Sequence, residues 1–194
     1  MLLNSEEKVD LRILRTRKML VQAFMDLLRE KDLQAITVSD IAERAMVNRA
    51  TFYAHFTDKY DLFAYMVQVR FETAVCEGLS STTGEFNLEN LRILILVVFA
   101  FMQELNGGCA TPAHHQFRPM VETQVQMKLY EILGEWVEAD GGDRLTAVPL
   151  VTVSMLSWTI FGMGIQWSQH TFAASAEQVI DQLLVTFTDG LFSK

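Results

Sequence analysis

At 194 residues, half of them hydrophobic and three of them proline, the chain is long enough to bury a core and to form one or two domains. Its net charge of −8 is uneven: residues 1–70 carry 11 Lys and Arg against 10 Asp and Glu, while residues 71–194 carry 5 against 14. The acidic remainder repels polyanions, so a nucleic-acid surface is confined to the N-terminal third, and two cysteines, Cys76 and Cys109, exclude a disulfide framework. The opening MLLNSEEKVDLR lacks the basic-then-apolar order of a signal peptide. The apolar run 93–102 is too short to span a bilayer, and 148–165 is interrupted by Thr152, Ser154, Ser157 and Thr159. A soluble, cytoplasmic, all-helical protein with no membrane partner is expected.

In chain order, the first element places Leu20, Ala23, Phe24, Leu27 and Leu28 on the stripe of a helix packed along one side. Its leading end is basic, with Arg12, Arg15, Arg17 and Lys18. Thr37 reads as an N-cap with Asp40 three residues later, at capping-box spacing. A short helix through Ala45 follows, and Met46-Val47 leaves room only for a tight turn. Asn48 can cap the next short helix, anchored by Phe52 and Phe56 at i, i+4; the rod is expected over 48–56. Thr57 can cap a further helix running through Glu77, with Asp58 and Asp61 at its positive end. GLSSTTGEFN reads as a linker and NGGCATPAHH as a loop. The remaining helices are expected over 88–105, 119–139, 146–170 and 176–192.

A short helix, a tight turn and a second short helix, buttressed by an amphipathic one, make a helix-turn-helix. With Phe52 and Phe56 turned inward, Ala50, Tyr53 and Ala54 lie on the opposite side, and such small side chains let the helix sink into a major groove. Arg49 in its first turn can reach guanine O6 and N7. Thr51, Tyr53, His55 and Lys59 can donate to phosphate oxygens, and helix N-terminal amides assist. Asn48, at the front of that helix, joins the DNA-binding candidates.

The stretch ITVSDIAERAMVNRATFYAHFTDKYDLF resembles the DNA-binding signature of the TetR/AcrR family of transcriptional regulators, over roughly residues 11–70. The resemblance implies an all-α fold, with a three-helix reading head over 10–70 and about six more helices over 71–194 forming a body that binds effector and dimerises. It implies that Arg49 and Ala50 approach bases, that Thr51, Tyr53, His55 and Lys59 grip phosphate, and that Thr37 starts the second helix. One departure is Met46, where the family often has glycine: a non-glycine residue at positive φ costs about 1 kcal/mol.

The body has no comparable signature. By resemblance its last two helices pair with those of a second subunit, and Trp158, Phe161, Gly162, Ile165, Leu183, Leu184, Phe187 and Leu191 suit that role, with Gly164 also permitting close approach. The middle helices are expected to line an effector pocket: Phe101, Met102, Met127 and Tyr130, together with Phe99 and Trp136, as apolar lining, and Gln103, His114, His115 and Gln126 as polar contacts. A Met- and aromatic-rich body suits a hydrophobic or amphipathic effector. Cys109, His114 and His115 match no zinc spacing, so no metal or cofactor is expected. Phosphate-cradling loops and the HExxH and GxSxG motifs are missing, so no enzyme is expected either. The expected function is a ligand-responsive repressor that binds a palindromic operator in double-stranded DNA as a homodimer. An activator or accessory factor working through a protein partner is the alternative.

Overall fold

The computed structural model describes residues 11–79, 86–107, 112–139 and 149–191, and among these it holds eight α-helices and no strand. The chain divides into two compact units, residues 1–66 and 67–194. The division falls inside the fourth helix, a few residues before the expected boundary at 70.

The head begins with α1 (Leu11–Glu30), whose Leu20, Ala23, Phe24 and Leu27 are buried. A 3-10 turn (Leu33–Ala35) leads to α2 (Val38–Arg44) and then to α3 (Arg49–Tyr53). Helix α4 (Lys59–Gly78) starts in the head and continues into the body. The head core gathers Leu20, Phe24, Ile36, Ile41, Phe52 and Leu62, each wholly buried. Burying an aliphatic or aromatic side chain of this size contributes about 1.5–3 kcal/mol, so these few residues decide where three short elements come to rest. Helix α3 has five residues, far below the length at which a helix is stable alone. It exists because Phe52 is held in that core.

The body adds α5 (Leu88–Gly107), α6 (Pro112–Ala139), α7 (Pro149–Ser168) and α8 (Ala176–Leu191). On α6, Val121, Val125, Leu129, Ile132 and Trp136 are buried, a stripe at helical spacing. Helix α7 packs against both α5 and α6, and α8 packs against α5. Gly164 permits the α5–α7 approach, since a Cβ there would stand 3.1 Å from the Val98 side chain. Trp167 stacks on Phe99 with ring centroids 5.4 Å apart, and its indole N–H donates to the Ala174 carbonyl at 3.1 Å. That pair ties the α7–α8 connection to α5.

Helix α6 starts seven residues before the expected Pro119. Proline removes one N–H and crowds the preceding turn, which favours a break in a sequence reading, yet the helix runs through it. His114 and His115 are therefore on a helix rather than in a loop; their side chains, and all of Cys109, lie outside the described residues. By length and composition α7 is apolar enough to cross a membrane. Its buried Val153, Leu156, Ile160 and Phe161 give it the apolarity of a helix with a core to fill.

Candidate nucleic-acid interface

The site is assembled by three local devices. The first starts α2: the Asp40 amide donates to Thr37 Oγ1 at 3.1 Å, and the Thr37 amide donates back to Asp40 Oδ2 at 2.8 Å, a reciprocal capping box. Lys31 Nζ donates to the same carboxylate at 2.8 Å. These donors, the Lys31 ammonium foremost and then Thr37, hold the Asp40 carboxyl at about 2.

The second device is the turn. Ala45 closes α2, Met46 takes φ of 54°, the Met46 amide donates to the Glu43 carbonyl at 3.0 Å and the Val47 amide to the Ala42 carbonyl at 2.9 Å. This pair of bonds is a Schellman stop with Met46 at the left-handed position, where glycine is preferred. Its side chain is 88% exposed, so packing does not compensate the strain locally. The third device starts α3: Asn48 Oδ1 accepts from the Thr51 amide at 2.7 Å and from the Thr51 hydroxyl at 3.0 Å.

These devices present α3 with one face inward and one outward. Phe52 is wholly buried and Phe56 nearly so, whereas Tyr53 is 51% exposed. Asn48, Arg49, Ala50 and Ala54 are also exposed, and Thr51 and His55 are half-buried. The regular helix is shorter than the expected rod over 48–56. Phe56 lies past it, yet its amide still donates to the Phe52 carbonyl at 3.0 Å, an α-helical spacing that keeps its ring on the same inward side as Phe52.

Lys59 differs from the expectation. Its ammonium donates to the carbonyls of Leu33, Gln34 and Ile36 at 2.9, 2.9 and 2.8 Å. All three protons are thereby used, and burial pushes the group below its usual value against the pull of Asp40 and Asp58. The residue sits at the start of α4, as expected, but it clasps the connection between α1 and α2 and has no proton left for phosphate. The cap of α4 is likewise Asp58 rather than Thr57: Asp58 Oδ1 accepts from the Tyr60 and Asp61 amides at 2.8 and 2.9 Å, while the Thr57 amide donates to Asp61 at 2.9 Å. The sequence reading placed both aspartates at the positive end of this helix and gave the cap to Thr57.

Among the described residues, the candidate effector residues of the body are spread from the core to the surface. Phe101 and Met102 are buried in the core, with the Phe101 ring 5.3 Å from Phe71. Gln103 and Met127 are exposed, Gln126 and Tyr130 are half-buried, and the His114 side chain is outside the described residues. Two open grooves occur among the described residues, one along α4 at Val69, Glu72, Thr73, Cys76 and Glu77, the other between α5 and α8 at Leu88, Arg92, Asp181 and Leu184. Of the candidate dimer residues, Phe161, Leu183, Leu184 and Phe187 are buried within the subunit. Gly162 and Ile165 are half-buried, and the Leu191 side chain is outside the described residues. Trp158 is 60% exposed, and it shares α7 with exposed Leu150, Val151 and Met155, which the sequence reading passed over. The spacing 151, 155, 158, 162, 165 is the signal that identifies Val151 and Met155 beside Trp158; Leu150 falls outside it.

A short helix, a left-handed turn and a second short helix, carried on a longer buttress and exposing Arg49, Ala50 and Tyr53, define a helix-turn-helix protein. Residues 20–66 match the family model of bacterial regulatory proteins of the tetR family. That match covers the head, so residues 20–66 carry a DNA-binding segment similar to those of tetR-family regulators. It is 34% identical over 103 residues to the uncharacterised HTH-type transcriptional regulator YxbF of Bacillus subtilis, covering 52% of this chain and 27% of that protein. It is 30% identical over 81 residues to DhaS of Lactococcus lactis, the HTH-type transcriptional activator of the dhaKLM operon, covering 42% of this chain and 41% of that protein. These matches span less than half the length of either relative. In fold, the chain is similar to Thermus thermophilus FadR, a TetR-family repressor solved in complex with lauroyl-CoA, with a TM-score of 0.59 at 19% identity over 92% of this chain and 97% of that one.

Proposed function

We propose that the protein is a ligand-responsive repressor that binds a palindromic operator as a homodimer, reading bases with Arg49 and Ala50 and holding phosphate with Tyr53 and His55, near the Thr37 and Asn48 caps. Thr51 joins them when its hydroxyl turns from Asn48 to phosphate. The observation that carries this reading is the two-sidedness of α3: Phe52 and Phe56 buried, Arg49, Ala50 and Tyr53 in solvent. The small Ala50 and Ala54 beside Arg49 on that outward side leave room for close approach to a groove. The exposed apolar stripe of α7, at Leu150, Val151, Met155 and Trp158, supports pairing with a second copy. Two-fold pairing places the reading helices about one DNA turn, ~34–36 Å, apart.

An effector would act by preferring one of two body conformations and so changing operator affinity. The apolar body favours a hydrophobic or amphipathic molecule, and an acyl-CoA of the kind bound by the Thermus FadR is a reasonable first trial ligand. The test is electrophoretic mobility shift with DNA flanking the protein's own gene. Sequence-specific, salt-sensitive retardation is expected, and Arg49→Ala weakens it by about 1–3 kcal/mol with relaxed preference at one base position. Retardation that ignores sequence would defeat the reading. A second reading, an activator, draws on the similarity to DhaS; a reporter that loses expression when the gene is deleted favours it over repression.

A further inference from the structure

Arg17 sits on α1, half-buried, and among the described residues no carboxylate pairs with it and no carbonyl accepts from it. Its Nε is wholly shielded from solvent and unpartnered. Leaving a charged donor desolvated in this way is costly, so something must hold the side chain in place. What holds it is two aromatic faces: the guanidinium carbon lies 5.7 Å from the centroid of the Phe56 ring and 5.1 Å from that of Tyr65, within the range of a cation–π contact. Those rings are themselves 5.4 Å apart, and Phe56 stands 6.0 Å from Phe52. One planar cation on α1 thus touches the residue that ends the α3 turn and a residue of α4.

We infer that Arg17 is a positioning residue for DNA reading: by stacking on Phe56 and Tyr65 it fixes the exit of α3 and hence the aim of Arg49 and Ala50. The need is evident from the helix itself. With five residues and a single wholly buried anchor, α3 has little intrinsic stability, so its pose depends on what pins its far end. Lysine supplies the charge but not the plane, and methionine supplies the stem without the charge. This inference rests on the proposed DNA-binding function, yet its first test does not.

In the free full-length protein, Arg17→Met is expected to speed hydrogen exchange of the Ala54, His55 and Phe56 amides at least tenfold. The Ile41 and Ala45 amides of α2 should keep their rates, and Arg17→Lys should fall between. Unchanged rates, or acceleration spread evenly over the head, overturn the inference. The second test uses a duplex selected by the wild-type protein from a random pool and a scrambled duplex of equal length. Arg17→Met should lose about tenfold on the selected duplex only, with the salt slope intact. A slope reduced by about one phosphate makes Arg17 a direct backbone contact and overturns the positioning role. Should wild-type protein select no sequence at all, the functional reading fails while the exchange result still decides Arg17.

Discussion

Met46 and Lys59 show how single residues depart from a pattern for physical reasons. Met46 occupies a left-handed position, with φ of 54° and its side chain in solvent, so it carries backbone strain without a packing reward. Met46→Gly is expected to stabilise the protein by about 0.5–1 kcal/mol, the relief of strain exceeding the added entropy of the unfolded chain; urea unfolding at constant m-value measures it. Lys59 donates three charge-assisted bonds to the carbonyls at Leu33, Gln34 and Ile36. Lys59→Met therefore costs about 2 kcal/mol of stability and leaves the salt slope of DNA binding as it was. A lysine that grips phosphate gives the reverse, a slope lower by about 1 and little change in stability.

At the scale of elements, helix starts carry the head. Thr37, Asn48 and Asp58 each accept from amides that no helical carbonyl can satisfy, and each element is too short to stand without its cap. The α2 cap is pH-sensitive in a defined direction. The folded Asp40 carboxyl titrates at about 2 against an ordinary value of 3.8, so its bonds to Lys31 and Thr37 contribute fully above pH 4 and are lost as pH falls through about 2. Unfolding free energy, followed by circular dichroism from pH 5 to pH 2, is expected to drop across that window. In Asp40→Asn the drop attributable to this group disappears, because the amide does not titrate. The capping spacing, the α1 stripe and the turn were all legible in the sequence, since each depends on residues within four positions of one another. That Asp58 rather than the expected Thr57 caps α4 was not, because both side chains can cap and only the final path of the chain selects Asp58.

For the whole molecule, the body reverses several residue assignments while the helices stay close to their expected places. Phe161, Leu183, Leu184 and Phe187 fill the core of one subunit, and the apolar side chains left in solvent on α7 are Leu150, Val151, Met155 and Trp158. Apolar character alone does not reveal which face of a doubly apolar helix meets its own subunit. If the exposed stripe is the dimer face, Met155→Glu leaves the monomer folded and buries two unpaired carboxylates in the dimer. Sedimentation equilibrium should then show a dimer weakened roughly 100-fold or more, about 3 kcal/mol, with a parallel loss of affinity for a palindromic duplex. Unaltered association would move the interface to another surface.

By itself the sequence determined the helical class, the helix-turn-helix between Thr37 and Phe56 and the family resemblance. Those features are written in local spacing: caps three residues from their partners, aromatic anchors four apart, a two-residue turn. Only the tertiary structure decided that Lys59 closes on three carbonyls, that Arg17 lies between two rings, and which apolar side chains of α7 remain in solvent. Each of those outcomes depends on residues distant in sequence arriving at one place, and a linear pattern does not encode which of several chemically suitable partners gets there.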